Sequence, residues 1–211
     1  MRSLILFLLV AASLPAQPRP ASPGEFDFYV FSLSWSPDYC ASPAGARDRL
    51  QCVERKYGFV VHGLWPQFES GWREPCSNAP LTLPAALKRD VLEIMPSQRL
   101  MNHEWRTHGT CSGLTPQKYF ESILTTWANV RFPERLKNLT KEQVEFSPAD
   151  IEHQFVAANT GLKPNMLSVN CKGRFLSEVR ICLDKNLKFR ACSAQAERGC
   201  SMAKIIVRPI R

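Results

Sequence analysis

The chain of 211 residues carries 27 Lys and Arg against 19 Asp and Glu, a formal net charge of +8, together with eight cysteines. Past its first residues no stretch is apolar enough to span a bilayer, no linker composition divides the chain in two, and no run of five or more like charges makes a basic tail. What remains is one domain large enough for a substantial core, with a basic surface that favours a polyanion: nucleic acid, acidic polysaccharide or anionic lipid.

Met1-Arg2 and the apolar run from Leu4 to Ala12, followed by small residues up to Ala16, have the form of a secretory signal peptide over 1–16. Its apolar part is shorter than the roughly 20 residues of a membrane helix. Residues 17–24, rich in Pro and Ala, read as a flexible leader, and 25–211 as the folded domain. Without Arg2 the charge becomes 8 − 1 = +7. All eight cysteines lie beyond the signal segment, so export implies four disulfides, although spacing alone leaves roughly a hundred pairings open.

Phe26–Trp35 is rich in β-formers and alternates, which predicts a strand; Gly58–Leu64 predicts a second, buried one carrying His62. Helical spacing follows over Leu83–Met95, Leu100–Cys111, Pro116–Asn129 and Pro148–Asn159, with Thr115-Pro116 as a start signal and Gly161 as a stop. After Pro164 strands are expected at Met166–Cys171, Arg174–Leu183, Leu187–Cys192 and Lys204–Val207, with a hairpin turn at Asp184-Lys185-Asn186. A strand, then helices, then strands make an α+β domain, expected to hold a central antiparallel sheet flanked by helices and stapled by disulfides. The sequon Asn138-Leu139-Thr140 bears only on a eukaryotic secretory route, and His153 reads as a surface residue.

Three of the four histidines fall in two short segments, Phe59-Val60-Val61-His62-Gly63-Leu64-Trp65-Pro66 and His103-Glu104-Trp105-Arg106-Thr107-His108-Gly109. On a helix Glu104 and His108 are i,i+4 neighbours, as are His103 and Thr107, while Arg106 projects elsewhere. Two imidazoles with a carboxylate between them are the parts of general acid–base chemistry near neutral pH. Zinc is the competitor, but the metalloprotease signature needs histidines at i and i+4. Here the i,i+5 spacing turns the second ring about 140° from the first. No Cys-x-x-Cys pair occurs either, so metal ligation is not expected.

A basic exported protein with these groups suits RNA scission, because RNA carries its own 2′-hydroxyl nucleophile. The enzyme must remove one proton, donate another to the 5′-oxygen and stabilise a phosphorane-like transition state. Acid–base hydrolysis of another substrate would need the same parts. The two segments, extended to Thr110-Cys111, closely resemble the active-site segments of the ribonuclease T2 family. The likeness reaches Trp35, Tyr39-Cys40, Cys76 and the Cys-rich end, and Leu33-Ser34-Trp35-Ser36-Pro37 is similar to the bacterial branch.

The resemblance implies a metal-independent, cofactor-free endoribonuclease. It would cleave single-stranded RNA through 2′,3′-cyclic phosphates to 3′-phosphates, as a secreted or periplasmic monomer without membrane attachment. His108 would be the base, His62 the acid, and Glu104 the group that steadies the site. His103 would help hold the phosphate, and Trp65 would position it or the His62 ring. The implied disulfides are Cys40–Cys52, Cys76–Cys111, Cys171–Cys200 and Cys182–Cys192.

One departure stands out: Thr107 occupies the place of the lysine usual in the family. Loss of a charge-directed donor costs about 10² to 10³ in rate, so a modest activity is expected unless a basic residue from another loop fills in. A non-catalytic factor on the same scaffold would be favoured by loss of His62 or His108, and both are present. A lectin or polysaccharide hydrolase would need a carboxylate pair, and the sequence places no second acid beside Glu104. Trp35, Tyr39, Phe68 and Trp72 are candidates for stacking bases, with core packing the alternative for each and the favoured reading for Trp35. Ser34 stands where strongly selective members carry a base-reading glutamine, which predicts broad specificity.

Overall fold

A computed structural model describes residues 22–71 and 76–211. The expected signal peptide, residues 17–21 of the leader, and Trp72 lie outside the described residues. In chain order the elements are β1 (Phe28–Trp35), α1 (Ser36–Cys40), β2 (Phe59–Gln67), α2 (Ala85–Ile94), α3 (Gln98–Thr107) and α4 (Pro116–Asn129). There follow α5 (Glu134–Lys137), β3 (Val144–Phe146), α6 (Pro148–Ala158), β4 (Leu167–Lys172), β5 (Phe175–Leu183) and β6 (Ile205–Val207).

The strands form one sheet in the order β2-β1-β5-β6-β3, with β4 also paired to β5. All pairings are antiparallel except β5 with β6, which meet in parallel at Phe175 and Ile206. The α+β architecture stands; the sheet is mixed rather than wholly antiparallel. Strand periodicity divides its faces. Tyr29, Phe31, Leu33 and Trp35 of β1 join Val179, Ile181 and Leu183 of β5 in the main core, against Val91 of α2, Met101 and Trp105 of α3, Phe120 and Ile123 of α4, and Ile151 and Phe155 of α6. The intervening positions Phe28, Val30 and Cys182 make a small second cluster with Trp65, Cys192 and Ala196. Between these apolar residues and the end of β1, the same face turns polar, at Ser32 and Ser34 of β1 opposite Arg180 and Glu178 of β5.

Local signals explain the helix boundaries. Ser97 Oγ accepts from the Leu100 N–H, so α3 starts before the expected Leu100. Thr115 caps α4 over the span the sequence predicts, and Ser147 with Asp150 closes a capping box on α6. Gly161, at φ +88, supplies the left-handed residue beyond α6. The expected strand at Leu187–Cys192 is not formed. The turn at Asp184 is present, its carboxylate accepting from the N–H groups of Asn186 and Lys188, but Leu187 takes φ 62 and only an isolated bridge from Leu183 to Phe189 follows. That segment is held by a disulfide instead of a ladder. The bridges are Cys40–Cys52, Cys76–Cys111, Cys171–Cys200 and Cys182–Cys192, with Cα separations of 5.0–5.3 Å. Among the described residues no helix is long and apolar enough to cross a membrane.

Candidate active site

His62 owes its position to a bulge. Ser32 of β1 faces Gly63 while Leu33 faces Val61, which leaves His62 as the extra residue on β2. A bulge re-aims its side chain out of strict alternation, and this one brings the imidazole against β5. Nδ1 of His62 lies 2.5 Å from Glu178 Oε1, and Nε2 lies 3.8 Å from Glu104 Oε1 on the other side.

Glu104 and His108 come from α3 and its end. Trp105 turns into the core and donates from Nε1 to the Ala79 carbonyl at 2.9 Å, which sets the rotation of the helix. Glu104, about 100° further round, then meets β2, where Trp65 Nε1 donates to its Oε2 at 2.7 Å and leaves the residue 1% exposed. This approach needs glycine at position 63: a Cβ there would sit 2.0 Å from Glu104 Oε2 and 2.4 Å from Trp65 Nε1. The helix ends at Thr107, and His108 caps it with its N–H on the Glu104 carbonyl at 2.9 Å. His108 Nε2 lies 4.0 Å from Glu104 Oε2. The Trp65 ring packs on both imidazoles, its centroid 5.2 Å from that of His62 and 5.3 Å from that of His108.

The two histidines differ in proton affinity. Burial alone would lower His62, but its hydrogen bond to Glu178 and the charges of Glu178 and Glu104 outweigh it, raising the imidazole above its ordinary 6.5. His108 is pushed down to about 3, first by burial and then by the charges of His103 and His62. Burial pushes Glu104 up to about 7, against the pull of His62 and the Trp65 hydrogen bond. Neighbouring titratable groups driven apart in this way can divide acid and base duties between them.

The sequence-derived residues therefore converge: His62, Trp65, Glu104 and His108 share one site. His103 lies exposed one position before Glu104 and acts on His108 through its charge. Arg106 turns away, its Nε on the Asn102 carbonyl. Trp35 takes the core alternative rather than the stacking one: it is 1% exposed and donates to the Arg208 carbonyl. Tyr39 is half-buried and bonds Asp48, whereas Phe68 borders a cavity of about 270 Å³ beside Trp65, with Gln67, Arg180 and Ser193. His153 is exposed. A cavity of about 240 Å³ between α1 and Arg208 contains none of the histidines.

Two residues escaped the sequence reading. Glu178 reaches His62 across β1, and Arg180 donates to Glu178 Oε2 from Nε at 2.9 Å and Nη2 at 2.7 Å while its Cζ sits 5.2 Å over the Trp65 ring. The expectation that no second acid joins Glu104 is thereby overturned. The two carboxylates do not flank an open cleft, however, since the His62 ring lies between them. Alternation in β5 puts Glu178 and Arg180 on one face; only the sheet order puts that face beside His62.

The model of the ribonuclease T2 family matches residues 26–192. The chain belongs to that family. A ribonuclease of Aeromonas hydrophila is 33% identical over 195 residues, covering 89% of this chain and 88% of the relative. Ribonuclease DdI of Dictyostelium discoideum is 28% identical and covers 87% and 85%. Among solved structures, the RNase-related protein of Calystegia sepium superposes with a TM-score of 0.72 at 24% identity, covering 88% of this chain and 98% of that one. RNase NT in complex with 5′-AMP gives 0.68 at 25% identity, covering 88% and 100%.

Proposed function

We propose that this T2 family member is an exported endoribonuclease. It cuts single-stranded RNA by transphosphorylation, leaving 2′,3′-cyclic phosphates that open slowly to 3′-phosphates. The observation that carries this reading is the pair of imidazoles packed on Trp65, both beside Glu104 and shifted in opposite directions in proton affinity. Neutral His108 accepts the 2′-hydroxyl proton; protonated His62 gives a proton from Nε2 to the departing 5′-oxygen. Both proton transfers are thus supplied by side chains, and the reaction needs no metal or cofactor. Glu104, protonated below about 7, can donate to a phosphate oxygen that its anion would repel. His103 helps hold the phosphate, and Trp65 positions it or the His62 ring.

Localisation belongs to the same proposal. Residues 1–16 direct export, 25–211 form the enzyme, and four disulfides suit an oxidising compartment, secreted or periplasmic. The protein is proposed to act as a monomer. Broad base specificity follows from Ser34, whose hydroxyl cannot make the two-pronged amide contact that reads a base edge.

The test is degradation of single-stranded RNA in EDTA. Cleavage should persist there, and His62→Ala or His108→Ala should retain less than about a tenth of the rate, since one proton transfer contributes about 10² to 10⁴. RNA left intact until zinc or magnesium is added would overturn the mechanism. A preference of more than about a hundredfold for one dinucleotide step, some 2.7 kcal/mol, would overturn the specificity.

A further inference from the structure

We propose that Glu178, clamped by Arg180, is the positioning residue of the acid His62. The inference rests on the acid assignment made above. Its ground is geometric. The bulge sets His62 outside the β2 alternation, and Glu178 Oε1 takes up its Nδ1 at 2.5 Å. A carboxylate on Nδ1 fixes the tautomer, so Nε2 is the nitrogen left to face Glu104 and the substrate. Glu178 is itself held: both Nε and Nη2 of Arg180 donate to its other oxygen, and the guanidinium lies over Trp65. The three side chains form a chain from Arg180 through Glu178 to His62.

This arrangement acts on one half of the reaction. The 2′-oxygen attacks phosphorus, its proton passes to His108, the bond from phosphorus to the 5′-oxygen breaks, and the proton on His62 Nε2 moves to that oxygen. Glu178 favours the charged imidazolium that must exist before this last transfer. The charged or titratable groups facing His62 are Glu178 and Arg180 from β5, Glu104 from α3 and His108 at its end. Among the described residues, Glu178 is the one that hydrogen-bonds the ring.

The experiment compares two substrates. A dinucleoside monophosphate has a 5′-alkoxide leaving group that needs a proton. Uridine 3′-(4-nitrophenyl phosphate) has an aryl leaving group that departs without one. Glu178→Gln should lower kcat on the dinucleotide by about 10- to 100-fold, a part of the 10² to 10⁴ that a whole proton transfer contributes. It should change the aryl ester by less than about threefold, and the alkaline limb of the pH profile should move to lower pH. Arg180→Gln should show the same substrate dependence with smaller amplitude, which keeps the test open if Glu178→Gln does not fold. Equal losses on both substrates, or no loss on the dinucleotide, would overturn the positioning role. His62→Ala serves as the reference. If it too loses equally on both substrates, the acid assignment fails and the proposal falls with it. If His62→Ala discriminates between the substrates and Glu178→Gln does not, Glu178 alone is excluded.

Discussion

At Gly63 a missing side chain makes the site. The carboxylate of Glu104 and the indole of Trp65 occupy the space a Cβ would take, at 2.0 and 2.4 Å. Gly63→Ala should displace Glu104 while leaving the strand pairing intact, with kcat falling by about 10² or more, as when one charge-directed donor is lost. Steady-state kinetics beside a thermal unfolding curve would check it, and near wild-type kcat would contradict the geometry. The histidines make a second prediction at this scale. His108 must be neutral to act as base, and its depressed affinity, about 3, puts the acid limb of kcat/KM far below ordinary imidazole values. His62 must be protonated to act as acid, and its raised affinity places the alkaline limb above 6.5. Activity should therefore hold across acid to neutral pH and fall as His62 loses its proton. A pH–rate profile active only in alkali would contradict both roles.

The catalytic helix α3 is fixed at both ends by different means. Ser97 caps its start, while its far end runs into His108 and the short turn Gly109–Ser112, tied by Cys111 to Cys76. The second tie closes a loop of 35 residues between β2 and the helix end. In the chain-entropy account, opening a loop of this size costs about 2–4 kcal/mol. Replacing Cys76 and Cys111 together by Ser should lower stability by about that much in urea unfolding. Activity should fall more than fold content, because the bridge lies close to His108. A double variant with unchanged midpoint would show that α3 is held by packing alone. Thr107, in the place of the family's usual lysine, sits in the last turn of this helix and brings no charge to it. Arg180 does bring a basic group to the site, though from a strand and already engaged by Glu178.

For the molecule as a whole, a formal charge of +8 suits the surface to a polyanion such as RNA. Single-strand binding weakens with salt by a slope of roughly 0.7 per neutralised phosphate, so two or three contacts would raise KM about tenfold between about 50 and 200 mM salt. Because the proposed proton transfers involve partly buried groups, which salt screens much less than exposed ones, kcat should stay nearly constant. A KM for polymeric RNA unmoved by salt would show that the basic surface takes no part in binding.

What the sequence by itself determined was local. Helical spacing put Glu104 and His108 on one face, Thr115-Pro116 placed α4, and alternation found β1 and β5. Each of these is governed by residues a few positions apart, where backbone periodicity and capping decide the outcome. The resemblance of the His62 and His103–Cys111 segments to one family then joined pieces that periodicity could not. Contacts between strands distant in sequence were settled only by the tertiary structure. The bulge that turns His62 belongs to the register of two strands, not to either alone. Glu178 and Arg180 read as ordinary polar positions of β5 until the order β2-β1-β5 set them beside the histidine. Leu187–Cys192 had the composition of a strand, yet with Leu187 at φ 62 its pairing stops at one bridge to Leu183, and the Cys182–Cys192 disulfide ties it on. Trp35 could have been a stacking platform or core, and the Arg208 carbonyl, far along the chain, decided for core.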